Sequence, residues 1–205
     1  MKTNRIFKIV PFILLLALYT SISAQSPVLI QRESQISISG TSNLHEWHEV
    51  AKDFTIEIGL SAEDAVTPVI DKVSLSCRTS SIVSDNSIMT NKTHEALGVD
   101  RHPVITFSSA QQSSLVVRNG EFSSTISGEL TIKGVRKQVA IPVKGSLTGN
   151  KLNVTGSKTI KMSDFDVKAP VALMGTLKTG DDVTVSFDLK FEVPANNVII
   201  TALNK

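Results

Sequence analysis

The 205-residue chain carries 21 Lys and Arg against 19 Asp and Glu, a formal net charge of +2. That excess belongs to the first 24 residues, where Lys2, Arg5 and Lys8 stand without an acidic neighbour; the remaining 18 basic and 19 acidic side chains are interspersed and offer no basic face for a nucleic acid. A single cysteine, Cys77, excludes an intrachain disulfide, so the domain depends on its core, and the roughly 180 residues after the N-terminal segment suffice for one core.

Residues 1–24 have the layout of a signal peptide: a basic start, the apolar run Ile9 to Tyr19, and the small-residue stretch Ser21-Ile22-Ser23-Ala24, with cleavage after Ala24 or Ser23. The run is shorter than the roughly 20 apolar residues that cross a bilayer. No cysteine follows the cleavage region, so a lipid anchor is not expected. The mature part is read as one exported domain, residues 25–205, that does not span a membrane.

His45 and His48 flank Trp47 in a polar turn that precedes a strand. From there the dominant signal is a period of two. Phe54, Ile56, Ile58 and Leu60 alternate with polar residues, as do Val73, Leu75 and Cys77, which makes Cys77 a small buried apolar side chain. Asn86 to Gly98 breaks the alternation, with Met89, Thr93, Ala96 and Leu97 at helical spacing and a glycine to end the helix.

Asn119-Gly120 is a hairpin signal leading into Phe122, Ile126, Leu130 and Ile132, whose opposite face is Ser, Thr and Glu. Val135, Val139, Ile141, Val143 and Leu147 follow after Lys133-Gly134; Leu152, Val154, Ile160 and Met162 follow after Gly149-Asn150. These segments predict a meander of three long strands. Met162 to Gly180 contains Pro170, Gly175 and Gly180 beside Phe165, Val171, Leu173 and Leu177, and reads as an apolar loop packed over an opening. Val183, Val185, Phe187, Leu189, Phe191 and Val193 form the last strand.

One-sided alternation favours antiparallel pairing. Strands of about 35 Å need their edges protected, which predicts an all-β, single antiparallel β-barrel of about eight strands with a short helix near residues 86–98.

Chemistry is hard to place on this pattern. His45, His48, His94 and His102 form no HExxH signature, and a zinc site needs three or four converging ligands. No G-x-S-x-G elbow accompanies the serines, and Asp181 stands where a P-loop following Gly175 would carry lysine. Asp164 and Asp166 suit turn formation, and the sequons at Asn91 and Asn153 matter only in a eukaryotic secretory pathway. No catalysis, metal or cofactor is expected. What remains is an apolar interior interrupted by Ser124, Gly128 and Gly156, with Trp47 and the six Phe beyond residue 24 to fill it. An eight-stranded barrel can be solid or hold one apolar ligand, so a filled structural or protein-interaction barrel stays open beside one that captures an elongated apolar molecule.

Gly128-Glu-Leu-Thr-Ile-Lys-Gly-Val-Arg-Lys-Gln-Val139 resembles the G-x-L-T-I-x-G-V-T-K-x-V stretch of the YceI family of bacterial periplasmic proteins. His102-Pro-Val-Ile-Thr-Phe-Ser-Ser109 is similar to that family's Y/H-P-x-I-x-F-x-S strand, which follows a short helix. Ser39 to Trp47 and Lys161 to Val183 resemble its opening and closing segments, in order. Arg136 replaces a frequent Thr, and Asn91-Lys92-Thr93-His94 departs from an Arg-Asp-containing segment.

The resemblance implies a lipocalin-like barrel, periplasmic or secreted, whose interior binds a polyisoprenoid or other long-chain fatty amphiphile without catalysis. Self-association as a homodimer is left open. The expected barrel lining is Phe54, Ile56, Phe107, Phe122, Ile126, Leu130, Val139, Ile141, Phe187 and Leu189, with Phe165, Leu173 and Met174 near the opening.

Overall fold

Strands form where the alternation is strongest, and the strongest alternation gives the longest ladders. In the computed structural model, which describes residues 26–63, 67–109, 111–118, 120–172 and 176–195, the main strands are β2 (Gln35–Ser42), β3 (Glu46–Ala51), β4 (Phe54–Glu63), β5 (Thr67–Arg78), β7 (Val104–Ser109), β10 (Glu121–Ile132), β11 (Val135–Thr148), β12 (Lys151–Lys161) and β14 (Leu177–Glu192). Five pieces of two or three residues extend them: β1 (Val28–Leu29), β6 (Ile82–Val83), β8 (Ser113–Ser114), β9 (Val116–Arg118) and β13 (Val171–Ala172). The predicted signal peptide, residues 1–24, lies outside the described residues.

All pairings are antiparallel, along the path β4-β5-β7-β10-β11-β12-β14-β2-β3-β6. Phe54 and Ile56 near one end of this path share a core with Ile36 and Ala51 near the other, so the sheet is curled into a half-barrel. The expected meander is present as β10, β11 and β12. Its first turn places Lys133 at φ 52° and Gly134 at φ 79°, the two left-handed residues of a tight hairpin.

The expected antiparallel barrel with its short helix is present as this curled sheet; among the described residues no rungs join β3 to β4, and beyond Phe54 and Cys77 the β4–β5 pairing is extended by Arg78 N–H donating to the Asp53 carbonyl and by Arg78 Nε on the Asp53 carboxylate at 2.8 Å. Two sequence expectations are corrected. Trp47 and His48 lie within β3, not in a turn; Ser42 to His45 makes that turn, with Ser42 Oγ donating to the His45 carbonyl at 2.8 Å. Gly180 lies inside β14, where the register shifts between Thr179 and Val183, so it marks a bulge.

Helix α1 (Ser87–Leu97) follows β6. Asn86 caps it by accepting from the N–H of Ile88 at 2.9 Å and of Met89 at 3.3 Å, and Gly98 ends it at φ 64°.

Candidate functional site

Inward residues at one end of the half-barrel, among them Phe191, Val193 and Leu152, are fully buried and packed together. Toward the α1 end, Ile38, Leu130, Val139, Ile141, Val185 and Phe187 also point inward but are only half-buried. They face an internal space of about 440 Å³, within the size range of small-molecule pockets.

Of the residues expected to line the barrel, Ile56, Phe107, Phe122, Ile126 and Leu130 are on the cavity wall. Val139, Ile141, Phe187 and Leu189 are there as well, and Phe165 lies beneath the covering turn. Phe54, paired with Cys77 at the start of β4, is not on the wall; it is 3% exposed and packed in the core. Leu173 and Met174 lie outside the described residues.

The lid is built from two elements. Helix α1 presents Met89, Thr93, Ala96 and Leu97 to the cavity, one face at helical spacing. The turn Met162–Phe165 buries Phe165, which packs with Ile132 and Val167 in a second small core. Asp181 holds this turn, accepting from Ser163 N–H at 2.8 Å and Ser163 Oγ at 2.6 Å; these bonds keep its carboxyl below the usual carboxylate range.

The small residues do not open the interior in the way the sequence suggests. A Cβ on Gly156 would come within 2.5 Å of Phe187 Cζ, and one on Gly128 within 2.7 Å of Phe107 Cζ. Gly145 and Gly40 are covered likewise by Phe122 and Trp47. Each glycine seats an aromatic ring from a neighbouring strand, and Ser124 Oγ donates to the Ser114 carbonyl at 2.8 Å. The cavity lies above rings laid flat on the sheet.

Among the wall residues that carry chemistry are His45 and Lys92 near the α1 end, and Glu49, Cys77 and Lys158 within the sheet. Glu49, 2% exposed, points inward from β3 and accepts from Thr93 Oγ1 of α1 at 2.7 Å. Burial pushes its carboxyl above the usual range, against the lowering effects of the Thr93 bond and of His94 and His48. Cys77 is a free, buried thiol on the wall, and burial raises it also. Lys158 occupies an inward position of β12 between Gly156 and Ile160. Sequence reasoning passed over Glu49 and Lys158; the readable signal was a charge at an inward position of an alternating strand.

The histidines stay apart. His45 Nδ1 is 2.9 Å from the Glu46 carbonyl, His94 Nε2 is 2.8 Å from the Ile82 carbonyl, and the His102 carbonyl accepts from Thr79 Oγ1. Among the described residues no three His, Cys, Asp or Glu side chains are grouped to hold a metal ion.

Comparison with known proteins gives the same architecture. The crystal structure of BcnA from Burkholderia cenocepacia superposes with a TM-score of 0.62 at 18% identity, covering 79% of this chain and 98% of that one. A polyisoprenoid binding domain from Saccharophagus degradans, implicated in plant cell wall breakdown, gives 0.63 at 14% identity, covering 84% and 100%. A UPF0312 protein of Ectopseudomonas mendocina is 32% identical over 124 residues, 57% of this chain and 61% of that protein, so the chain spans about three fifths of that relative. A UPF0312 protein of Pseudomonas savastanoi pv. phaseolicola is 26% identical over 149 residues, 69% and 72% respectively. The YceI-like domain model matches residues 28–191, the whole curled sheet but for its ends, and the chain belongs to the YceI-like family.

Proposed function

We propose that this chain is an exported, periplasmic binding or carrier protein that holds a polyisoprenoid or other long-chain lipid in the cavity between the sheet, α1 and the Met162–Phe165 turn, and performs no catalysis. The observation that carries this reading is the row of inward apolar residues left half-buried around about 440 Å³ of space. Membership of the YceI-like family and the likeness to a polyisoprenoid binding domain support it.

Chain length is the natural selector. Each buried methylene contributes about 0.8 kcal/mol, so about ten contribute about 8 kcal/mol before the cost of association is subtracted. A micromolar Kd itself needs about 8 kcal/mol net, so short chains bind poorly. The wall residues that take part are Ile56, Phe107, Phe122, Ile126, Leu130, Val139, Ile141, Phe165, Phe187 and Leu189.

Organic extraction of the purified protein followed by mass spectrometry tests this directly, with a bound prenyl or acyl chain expected in stoichiometric amount. An empty protein that also takes up no added prenyl or acyl chain would overturn the proposal.

A further inference from the structure

The inward face of β12 runs Leu152, Val154, Gly156, Lys158, Ile160, and only the fourth member is charged. An ammonium on an apolar wall is unfavourable unless something pairs with it, and Met or Ile would extend the wall without that cost. Among the described residues Lys158 makes no ion pair and no hydrogen bond, whereas Lys92, Lys161 and Lys190 each meet a carboxylate within 2.9 Å. Its ladder row runs through Val185 on β14 and Ile38 on β2 to Glu49 on β3, so the acid of that row is three strand spacings away and already bonded to Thr93.

The sheet changes at the same point. The ladder between β11 and β12 ends at Val143 and Gly156, while β12 remains paired with β14 as far as Lys161 and Asp182. Lys158 is therefore the first inward residue beyond the place where β12 parts from β11. The gap leads toward the Met162–Phe165 turn, which packs on β11, β12 and β14. A ligand lying in the cavity with its polar end in this parting would bring that end to the Lys158 ammonium, while the lysine's methylene stem continues the apolar wall.

We propose that Lys158 binds the head group of the cavity's ligand, and that this head is anionic, a carboxylate or a phosphate ester. This rests on the lipid-binding reading above and adds to it a charge requirement. A charge-assisted hydrogen bond in a poorly hydrated site favours the anionic head over the corresponding alcohol by about tenfold or more. The wall beside Lys158 is otherwise apolar, so no other side chain in its row supplies that preference.

The test is displacement of N-phenyl-1-naphthylamine from delipidated protein by four probes: hexadecanoate, hexadecanol, geranylgeranyl monophosphate and geranylgeraniol. The native protein is expected to take at least one anionic probe about tenfold more tightly than its alcohol, and which anion prevails distinguishes carboxylate from phosphate. Lys158→Met should abolish that preference while binding the alcohols as before, which also shows that the variant is folded; Lys158→Arg should keep the preference. Should Lys158→Met not fold, Lys158→Gln makes the same comparison. Equal affinity of the native protein for acid and alcohol, or a preference that survives in Lys158→Met, would overturn the anchor and leave lipid binding intact. Binding of none of the four would overturn both.

Discussion

The ring of Phe122 on β10 occupies the space that a side chain on its β11 partner Gly145 would need: a Cβ there would come within 2.7 Å of Phe122 Cε1 and against the Asn153 carbonyl of β12. The backbone carbonyl cannot swing away, so Gly145→Ala forces the strands or the ring to shift. Overpacking of this kind destabilises by about 1–3 kcal/mol, and for a domain of this size each kcal/mol lowers the melting temperature by about 2–4 °C. Thermal unfolding of the variant should show a loss of several degrees; an unchanged midpoint would mean that the ring has a second resting place.

Glu49 makes stability depend on pH in a defined direction. Its folded-state carboxyl is raised, chiefly by desolvation, so the associated stability is complete below the ordinary carboxylate range and declines as pH rises through the raised value. The groups around it are Thr93 and His94 on α1 and His48 on its own strand. Glu49→Gln removes the ionisation and keeps a hydrogen-bonding side chain. Denaturant titrations from pH 4 to 8 should find the glutamine variant gaining on the native protein as pH increases; parallel curves would count against a raised carboxyl.

The Cys77 thiol is buried on the cavity wall and is raised by desolvation, so its thiolate is scarce at neutral pH. A bulky hydrophilic thiol reagent should react with it slowly in the folded protein and rapidly in denaturant. Fast labelling of the folded protein would show that the lid opens readily.

Filling the cavity should separate binding from folding. Val185 is half-buried at the centre of β14 and faces the empty space, so Val185→Trp has room that a core position lacks. Lipid uptake should fall sharply with little loss of thermal stability. Undiminished uptake would place the ligand elsewhere.

The lid helix depends on its cap. Asn86 Oδ1 accepts two backbone N–H groups that would otherwise be orphaned, and Asn86→Ala should destabilise by about 1 kcal/mol. Hydrogen exchange should rise first in the opening turn of α1; uniform protection across the variant would argue against a capping role.

Much of the fold was legible from residues close together in the chain. The alternation of Phe122 to Ile132 and of Val183 to Val193, the left-handed turn at Lys133-Gly134, and Asn86 and Gly98 at the ends of the helix each carry their own local physics. Strands β2 and β3 were harder to read, because Glu49 interrupts the apolar face of β3 and β2 offers only Ile36 and Ile38 among Ser, Gly and Thr. In the sequence Gly180 reads as the end of a loop because a bulge and a loop use the same residue, and only the pairing with β2 tells them apart.

By itself the sequence determined which side chains share a face, since a period of two needs no knowledge of neighbours. It also determined that the long strands pair antiparallel around an apolar interior. Which strands are neighbours was decided only by the tertiary structure, and the rest depended on that. A glycine on one strand could then be recognised as the seat of a ring from the next, and the parting of β11 from β12 located. The curl that brings β4 toward β3, leaves about 440 Å³ unfilled and turns Lys158 into that space is a property of contacts between residues far apart in the chain.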